Sequence, residues 1–116
     1  MLAKKHRFHG YGSLKYLYSH GSTVRAKSCS LKFIHNPKRD NSRVAVVVGK
    51  KVSKKAPVRN RIRRRLYEAV RQHWAMLKPQ HDMVITVFDD TPTTMPAEEL
   101  NHMVVELLTK ANLYKD

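Results

Sequence analysis

KKVSKKAPVRNRIRRRLYEAVRQHW, residues 50–74, is the stretch that decides the fold of this chain. Every charged residue in it before Glu68 is Lys or Arg. Val58, Ile62, Leu66, Ala69 or Val70, and Trp74 recur at the 3.6-residue period of a helix with one packed face. Proline is tolerated in a first helical turn, so Pro57 places the start near Ala56, and Pro79 bounds the end. The spacing therefore predicts a helix fixed to a core on one side and carrying Arg59, Arg61, Arg63, Arg64 and Arg65 elsewhere. A solvated face ordinarily mixes signs, as Glu–Lys pairs at i,i+4. Guanidiniums packed this closely with no acid among them repel one another, and an external polyanion relieves that repulsion.

Upstream, RVAVVVG (43–49) is an unbroken apolar run, expected to be a central strand. From Thr23 to Ile34 the chain alternates, with Cys29, Leu31 and Phe33 on one face and Ser28, Ser30 and Lys32 on the other, as in one half-buried strand. HNPKRDNS (35–42) is a turn-rich loop between the two. Ser13 is placed to N-cap a short helix bearing Leu14, Leu17 and Tyr18, closed by Gly21. Residues 1–11 read as a basic arm, ordered only where Phe8 packs. Downstream, DMVITVF (82–88) is a third strand, and DDTPTTMPAEE is a loop in which Asp89 and Asp90 cap or flank. The last helix has the stripe Leu100, Met103, Val104, Leu107, Leu108 and Ala111. The order is α-β-β-α-β-α, an α/β arrangement in which the long helix crosses between strands of a small sheet. There is no internal repeat.

With 116 residues, 41% of them apolar, the chain is expected to form a single domain over 1–116 with a real core. A formal charge of +14 exceeds what solubility requires and points to RNA or DNA, with an anionic membrane the weaker option. No apolar run approaches the ~20 residues of a membrane span. MLAKKHRF is basic but has no apolar segment behind it, which argues against secretion. Cys29 is the chain's single cysteine and reads as a small core residue of a reducing compartment. The composition thus implies a cytoplasmic, polyanion-binding domain.

Catalytic patterns are absent. His6 and His9 are three apart without a cysteine, and His73, His81 and His102 have no recurrent ligand spacing. Asp89–Asp90 and Glu98–Glu99 are sequence neighbours, which mostly project apart. No serine sits in a strand–turn–helix elbow, and there is no glycine-rich phosphate loop. Among the aromatics, Phe33 and Trp74 read as core. Tyr11, Tyr16 and Tyr18 lie in or beside the first helix, where a phenol can stack a splayed base. Tyr18 aligns with Leu14, so it either lines a semi-apolar cleft or packs on the strand at Leu31.

The run Arg59-Asn60-Arg61-Ile62-Arg63-Arg64, preceded by VAVVVGKK (44–51), resembles the protein subunit of bacterial ribonuclease P. The family signature is an RNR motif on a long helix that follows a strand ending in paired lysines. The likeness extends to the basic arm, His20-Gly21 closing the first helix, and Asp82 opening the third strand. It implies a two-layer α/β (α+β) sandwich like the second domain of ribosomal protein S5, with a left-handed βαβ crossover against the strong right-handed preference. It further implies a subunit whose partner, ribonuclease P RNA, removes the 5′ leader of precursor tRNA by Mg²⁺-assisted hydrolysis, the protein alone being inactive. Carried over by position, Arg59, Asn60, Arg61, Arg63, Arg64, Lys50 and Lys51 would meet the RNA subunit, bound one to one. Leu14, Tyr18, Cys29 and Lys32 would line the cleft for the single-stranded leader. No residue of this chain is implied as catalytic or as a metal ligand, and no membrane as a partner.

The chain departs from that pattern at several places. The family commonly has an aromatic where Leu14 stands and another near Cys29. Tyr67 replaces a frequent basic residue, and Arg65 a usual leucine. Two further function classes stay open beside the resemblance: a ribosomal or chaperone-like RNA-binding module, and a self-sufficient nuclease. The Arg-Asn-Arg order favours the ribonuclease P subunit over the RNA-binding module, since a generic basic helix has no reason to prefer it, and the absence of an acid or histidine cluster counts against the nuclease.

Overall fold

The computed structural model describes residues 11–115. Its elements run α1 (Tyr11–His20), β1 (Ser22–Arg25), β2 (Cys29–His35), β3 (Arg43–Val48), α2 (Ala56–His73), β4 (His81–Val87) and α3 (Ala97–Lys110). The strands form one mixed sheet in the order β1-β2-β4-β3. The pairs β1–β2 and β2–β4 are antiparallel, while β3 and β4 run parallel. The helix α2 is the connection between those parallel neighbours, as a βαβ unit requires. The arm expected over residues 1–11 lies outside the described residues except for Tyr11, which already belongs to α1. Because α1 begins there, Ser13 sits inside its first turn and not at its N-cap.

The expected single strand over 23–34 is a hairpin. Ala26–Ser28 interrupt it, and the Ala26 N–H donates to Cys29 O at 2.9 Å across the turn. Alternation alone cannot detect this break, because Val24 and Leu31 face the same side once Thr23 pairs with Lys32 and Val24 with Leu31. The run RVAVVV is also an edge strand, not a central one, and β4 lies inside the sheet. Its apolar character comes from burial on both faces, and its open backbone edge is met at Val46, whose N–H donates to the Tyr67 hydroxyl at 3.1 Å. The residue standing in place of a helical cation is thus an edge guard, the function that exposed strands demand.

Strand alternation divides the core in two. Cys29, Leu31, Val44, Val46, Met83 and Ile85 join Ile62, Leu66 and Val70 of α2 and Val104, Leu107 and Leu108 of α3 in the main cluster. On the opposite face, Ala45 and Val84 pack with Leu17 of α1, and Leu14, Ile34 and Val47 lie at their margin. Ile62 and Leu66 are wholly buried, and each such side chain stabilises the fold by about 1.5–3 kcal/mol. Phe33 and Trp74 pack against the main cluster, as expected of core aromatics. Gly21 is required by proximity: a Cβ there would lie 2.7 Å from Leu17 O and 3.0 Å from Phe33 O. The helix α3 ends in Asn112 at φ 55°, with Leu113 N–H returning to Leu108 O at 3.1 Å, the left-handed cap that closes many helices. No helix among the described residues is long and apolar enough to cross a membrane.

Candidate nucleic-acid interface

The first face is built by α2 and the turn before it. Lys50 and Lys51 are exposed in the turn after β3, which Val52 N–H closes on Gly49 O at 3.0 Å. Lys54, Lys55 and Asn60 are exposed beside them, so the positive surface begins before the helix does. The core stripe at Ile62, Leu66, Ala69 and Val70 holds the helix to the sheet and fixes which positions point away. The arginines divide by what they hold. Arg64 is exposed and has no hydrogen-bond partner among the described residues, so its full fork is available. Arg63 donates to Asn60 Oδ1, which orders two motif side chains together. Arg59 donates to Ser53 O at 2.8 Å and ties the helix to its leading turn.

Arg61 and Arg65 turn toward the segment before α3. Arg61 Nε donates to Thr93 O at 2.9 Å, leaving the two terminal nitrogens of its fork for an outside partner. Arg65 donates from Nη1 to Pro92 O at 2.7 Å and from Nη2 to Met95 O at 2.5 Å. The cation that stands in place of a leucine is therefore a clamp on the loop. Farther along, Arg71 Nε grips both Glu68 oxygens at 2.9 and 3.0 Å. That hydrogen bonding draws the Glu68 carboxyl down to about 2, so it stays ionised and matched to Arg71.

The second face lies on the α1 side of the sheet. Leu14 packs at the margin of the smaller core cluster and Tyr18 is 44% exposed. Lys32 Nζ donates to Tyr18 O at 2.6 Å and sits 5.8 Å from the centre of its ring. Leu14, Tyr18 and Lys32 thus come together, with an apolar rim, a ring face and an ammonium in one place. The alternative of Tyr18 packing on Leu31 does not occur, since Leu31 belongs to the main cluster on the other face. Cys29 must be withdrawn from this set. It is two residues from Leu31, hence on the α2–α3 side, and completely buried. Burial, with Asp89 and Glu106 behind it, raises its thiol to about 12, so it stays protonated and inert.

A pair absent from the expected set is Arg25 and Phe88. Phe88 is 46% exposed and the Arg25 guanidinium lies 5.5 Å from its ring centre. The sequence signal was there: Phe88 continues the alternation of Asp82, Val84 and Thr86 past the end of β4. At the opposite end of the sheet Asp82 accepts both an Arg43 fork at 2.9 Å and Asn36 Nδ2 at 3.0 Å. Burial alone would raise its carboxyl, but these hydrogen bonds outweigh it and hold the group below the ordinary range. It is structural. Asp89 accepts the Thr91 N–H at 2.9 Å, a loop-flanking role. No three His, Cys, Asp or Glu side chains among the described residues are grouped to hold a metal ion.

Comparisons with known proteins speak to the family and the fold. The family model described as Ribonuclease P matches residues 2–112. A ribonuclease P protein component from Pseudanabaena is 32% identical over 114 residues, spanning 97% of each chain. One from Symbiobacterium thermophilum is 30% identical over 112 residues, covering 97% of this chain and 96% of the relative. Among solved structures, the Staphylococcus aureus RNase P protein superposes with a TM-score of 0.84 at 19% identity, covering 95% of this chain and 98% of that one. The Thermotoga maritima protein gives 0.79 at 20% identity, covering 90% and 96%. At that identity the structural likeness speaks for the fold.

Proposed function

The chain belongs to the ribonuclease P protein family, and on that premise we propose how it serves as the protein component of the enzyme. The observation that carries the reading is the exposed, acid-free face formed by Lys50, Lys51, Asn60 and Arg64 on a helix whose other side is fused into the core. A helix cannot read base edges in the deep major groove of A-form RNA, but it can follow the backbone. Arg forks meet phosphate oxygens bidentately, and a rigid helix spaces them without further ordering cost. We assign Arg59, Asn60, Arg61, Arg63, Arg64, Lys50 and Lys51 to ribonuclease P RNA, bound one to one. In this reading Arg59, Arg61 and Arg63 also fix the turn, the loop and Asn60, so that the contact surface is preformed.

The α1 face takes the single-stranded 5′ leader of precursor tRNA. Tyr18 offers a ring face to a base, Leu14 an apolar flank, and Lys32 a cation for the adjoining phosphate. Hydrolysis of the phosphodiester belongs to the RNA subunit, which holds the Mg²⁺. The described side chains group no three His, Cys, Asp or Glu that could hold that ion. The protein acts by screening the approach of leader and catalytic RNA, in the cytoplasm where precursor tRNA is processed.

The test is cleavage of precursor tRNA by the RNA subunit with and without this chain across a Mg²⁺ series. The chain alone should cleave nothing, and its addition should lower the Mg²⁺ required. Metal-dependent cleavage at the mature 5′ end by RNA-free protein would overturn the division of labour.

A further inference from the structure

Between α2 and α3 runs an open groove of about 510 Å³, within the ~300–1,000 Å³ of ligand sites. Its floor is aliphatic, from Ala69, Ala97 and Leu100, and its walls carry Arg64, Gln72 and Asn101. Ala69 and Leu100 are buried, so the floor is closed beneath, while Ala97 is exposed at the groove's end. The small side chains at 69 and 97 are what keep the two helices from filling this space. Asn101 Oδ1 accepts from the His73 ring at 2.8 Å, which leaves its amide N–H₂ free to donate. Gln72 is exposed and without a hydrogen-bond partner among the described residues. Glu68 also borders the groove, but its pairing with Arg71 removes it as a repelling charge.

We infer that this groove receives one unpaired nucleobase of a bound RNA. The inference rests on the RNA-binding role proposed for α2 and adds a base-contacting site to it. Phosphate explains the guanidiniums of Arg61 and Arg64, and Arg65 is spent on the loop, but neither accounts for Gln72, Asn101 and the aliphatic floor. Two amides and an aliphatic floor match the edge and the face of a planar heterocycle. A duplex cannot supply one there, because its bases are paired and stacked face to face, whereas a splayed nucleotide can. The base lies against Ala69, Ala97 and Leu100, Arg64 covers its outer face and reaches the flanking phosphate, and Gln72 and Asn101 read its edge.

The experiment compares the full chain with Ala97→Leu, Gln72→Ala and Arg64→Ala, in binding to the RNA subunit and, separately, to leader-bearing precursor tRNA. Affinities are measured across a salt series, with a melting curve for each variant. Ala97→Leu fills the groove from an exposed helical position and should leave the melting temperature unchanged. It should weaken binding of one RNA by roughly 5- to 150-fold, the worth of one stacked base, and leave the salt slope as it was. Gln72→Ala should weaken the same RNA by a smaller factor, and the RNA affected identifies where the base comes from. Arg64→Ala should flatten the slope. Wild-type affinity of Ala97→Leu for both RNAs, while Arg64→Ala still weakens binding, would overturn the groove and leave the proposed function standing. A loss in Ala97→Leu accompanied by a flatter salt slope would mean that phosphates alone are held, and also overturns it. Failure of the unaltered chain to bind either RNA would instead sink the parent reading.

Discussion

Arg65→Ala separates an arginine that holds the protein together from one that holds RNA. Arg65 makes two short hydrogen bonds to carbonyls, 2.7 Å to Pro92 O and 2.5 Å to Met95 O, and a longer one of 3.3 Å to Thr93 O. A hydrogen bond to a charged group is worth ~1.5–3 kcal/mol. Here the side chain is only half-buried, so water softens the loss. Discounting each short bond to ~1 kcal/mol and neglecting the long one gives a destabilisation of ~2 kcal/mol. For a domain of this length ~1 kcal/mol moves the melting temperature by roughly 3–6 °C, so Arg65→Ala should melt some ~6–12 °C lower. Arg65→Lys keeps the charge but not the fork and should recover only part of the loss. Binding of the RNA subunit, measured well below the melting temperature across a salt series, should keep its slope in both variants. Arg64→Ala should do the reverse, with melting unchanged and the slope reduced by roughly 0.7–0.9 log units per lost phosphate contact. Circular-dichroism melts beside filter binding decide the matter. An Arg65→Ala protein that melts like the wild type yet loses salt slope would refute this division.

Tyr18→Ala should weaken precursor-tRNA binding by ~1–3 kcal/mol while mature tRNA binds as before, and Tyr18→Phe should be mild because the ring face makes the contact. Equal losses for the two tRNAs would remove Tyr18 from the leader site. Tyr67→Phe strips the acceptor from the Val46 N–H at the sheet edge and should cost about 1 kcal/mol in a denaturant titration; a variant as stable as the parent would show that water serves that edge equally well. Acid should destabilise the fold in two stages. Burial, aided by His35 and Lys78, lowers the His81 pKa despite the Pro79 carbonyl. The unfolded chain therefore takes that proton more readily, and melting temperature should fall as pH drops through ~6.5. Asp82, also depressed in the fold, should give the second fall below the ordinary carboxylate value of ~3.9. His81→Gln should abolish the first stage alone, and a melting temperature flat from pH 7.5 to 5 in the parent would contradict it.

The long helix was legible residue by residue, because an apolar stripe at helical period, a proline at the start and an unbroken run of cations all lie within one local segment. Its bounds, Ala56–His73, match that pattern. The last helix followed from the same signal, and every position of its stripe from Leu100 to Ala111 is buried. The hairpin was not legible. A turn at Ala26–Ser28 leaves the alternation on either side intact, so the pattern reads the same for one strand or two. Nor could an apolar run say whether RVAVVV lies inside the sheet, since burial on both faces is equally possible for an edge strand.

For the site, composition and local order were enough to mark which residues carry charge, and that the charge is gathered on one helix. They could not say which arginines are free. Arg61, Arg64 and Arg65 lie within one and a half turns, yet Arg65 serves the loop, Arg61 divides itself, and Arg64 alone is uncommitted among the described residues. Their partners, the carbonyls of Pro92, Thr93 and Met95, are some thirty positions away, and no periodicity in either segment refers to the other. Cys29 went to the wrong face for a related reason. Alternation sets it beside Leu31 and opposite Lys32, so the two cannot line one cleft, and the packing of α1 against one side of the sheet and of α2 and α3 against the other decides that Lys32 is the one that does. Local pattern determines what each segment offers; long-range packing determines what it is offered to.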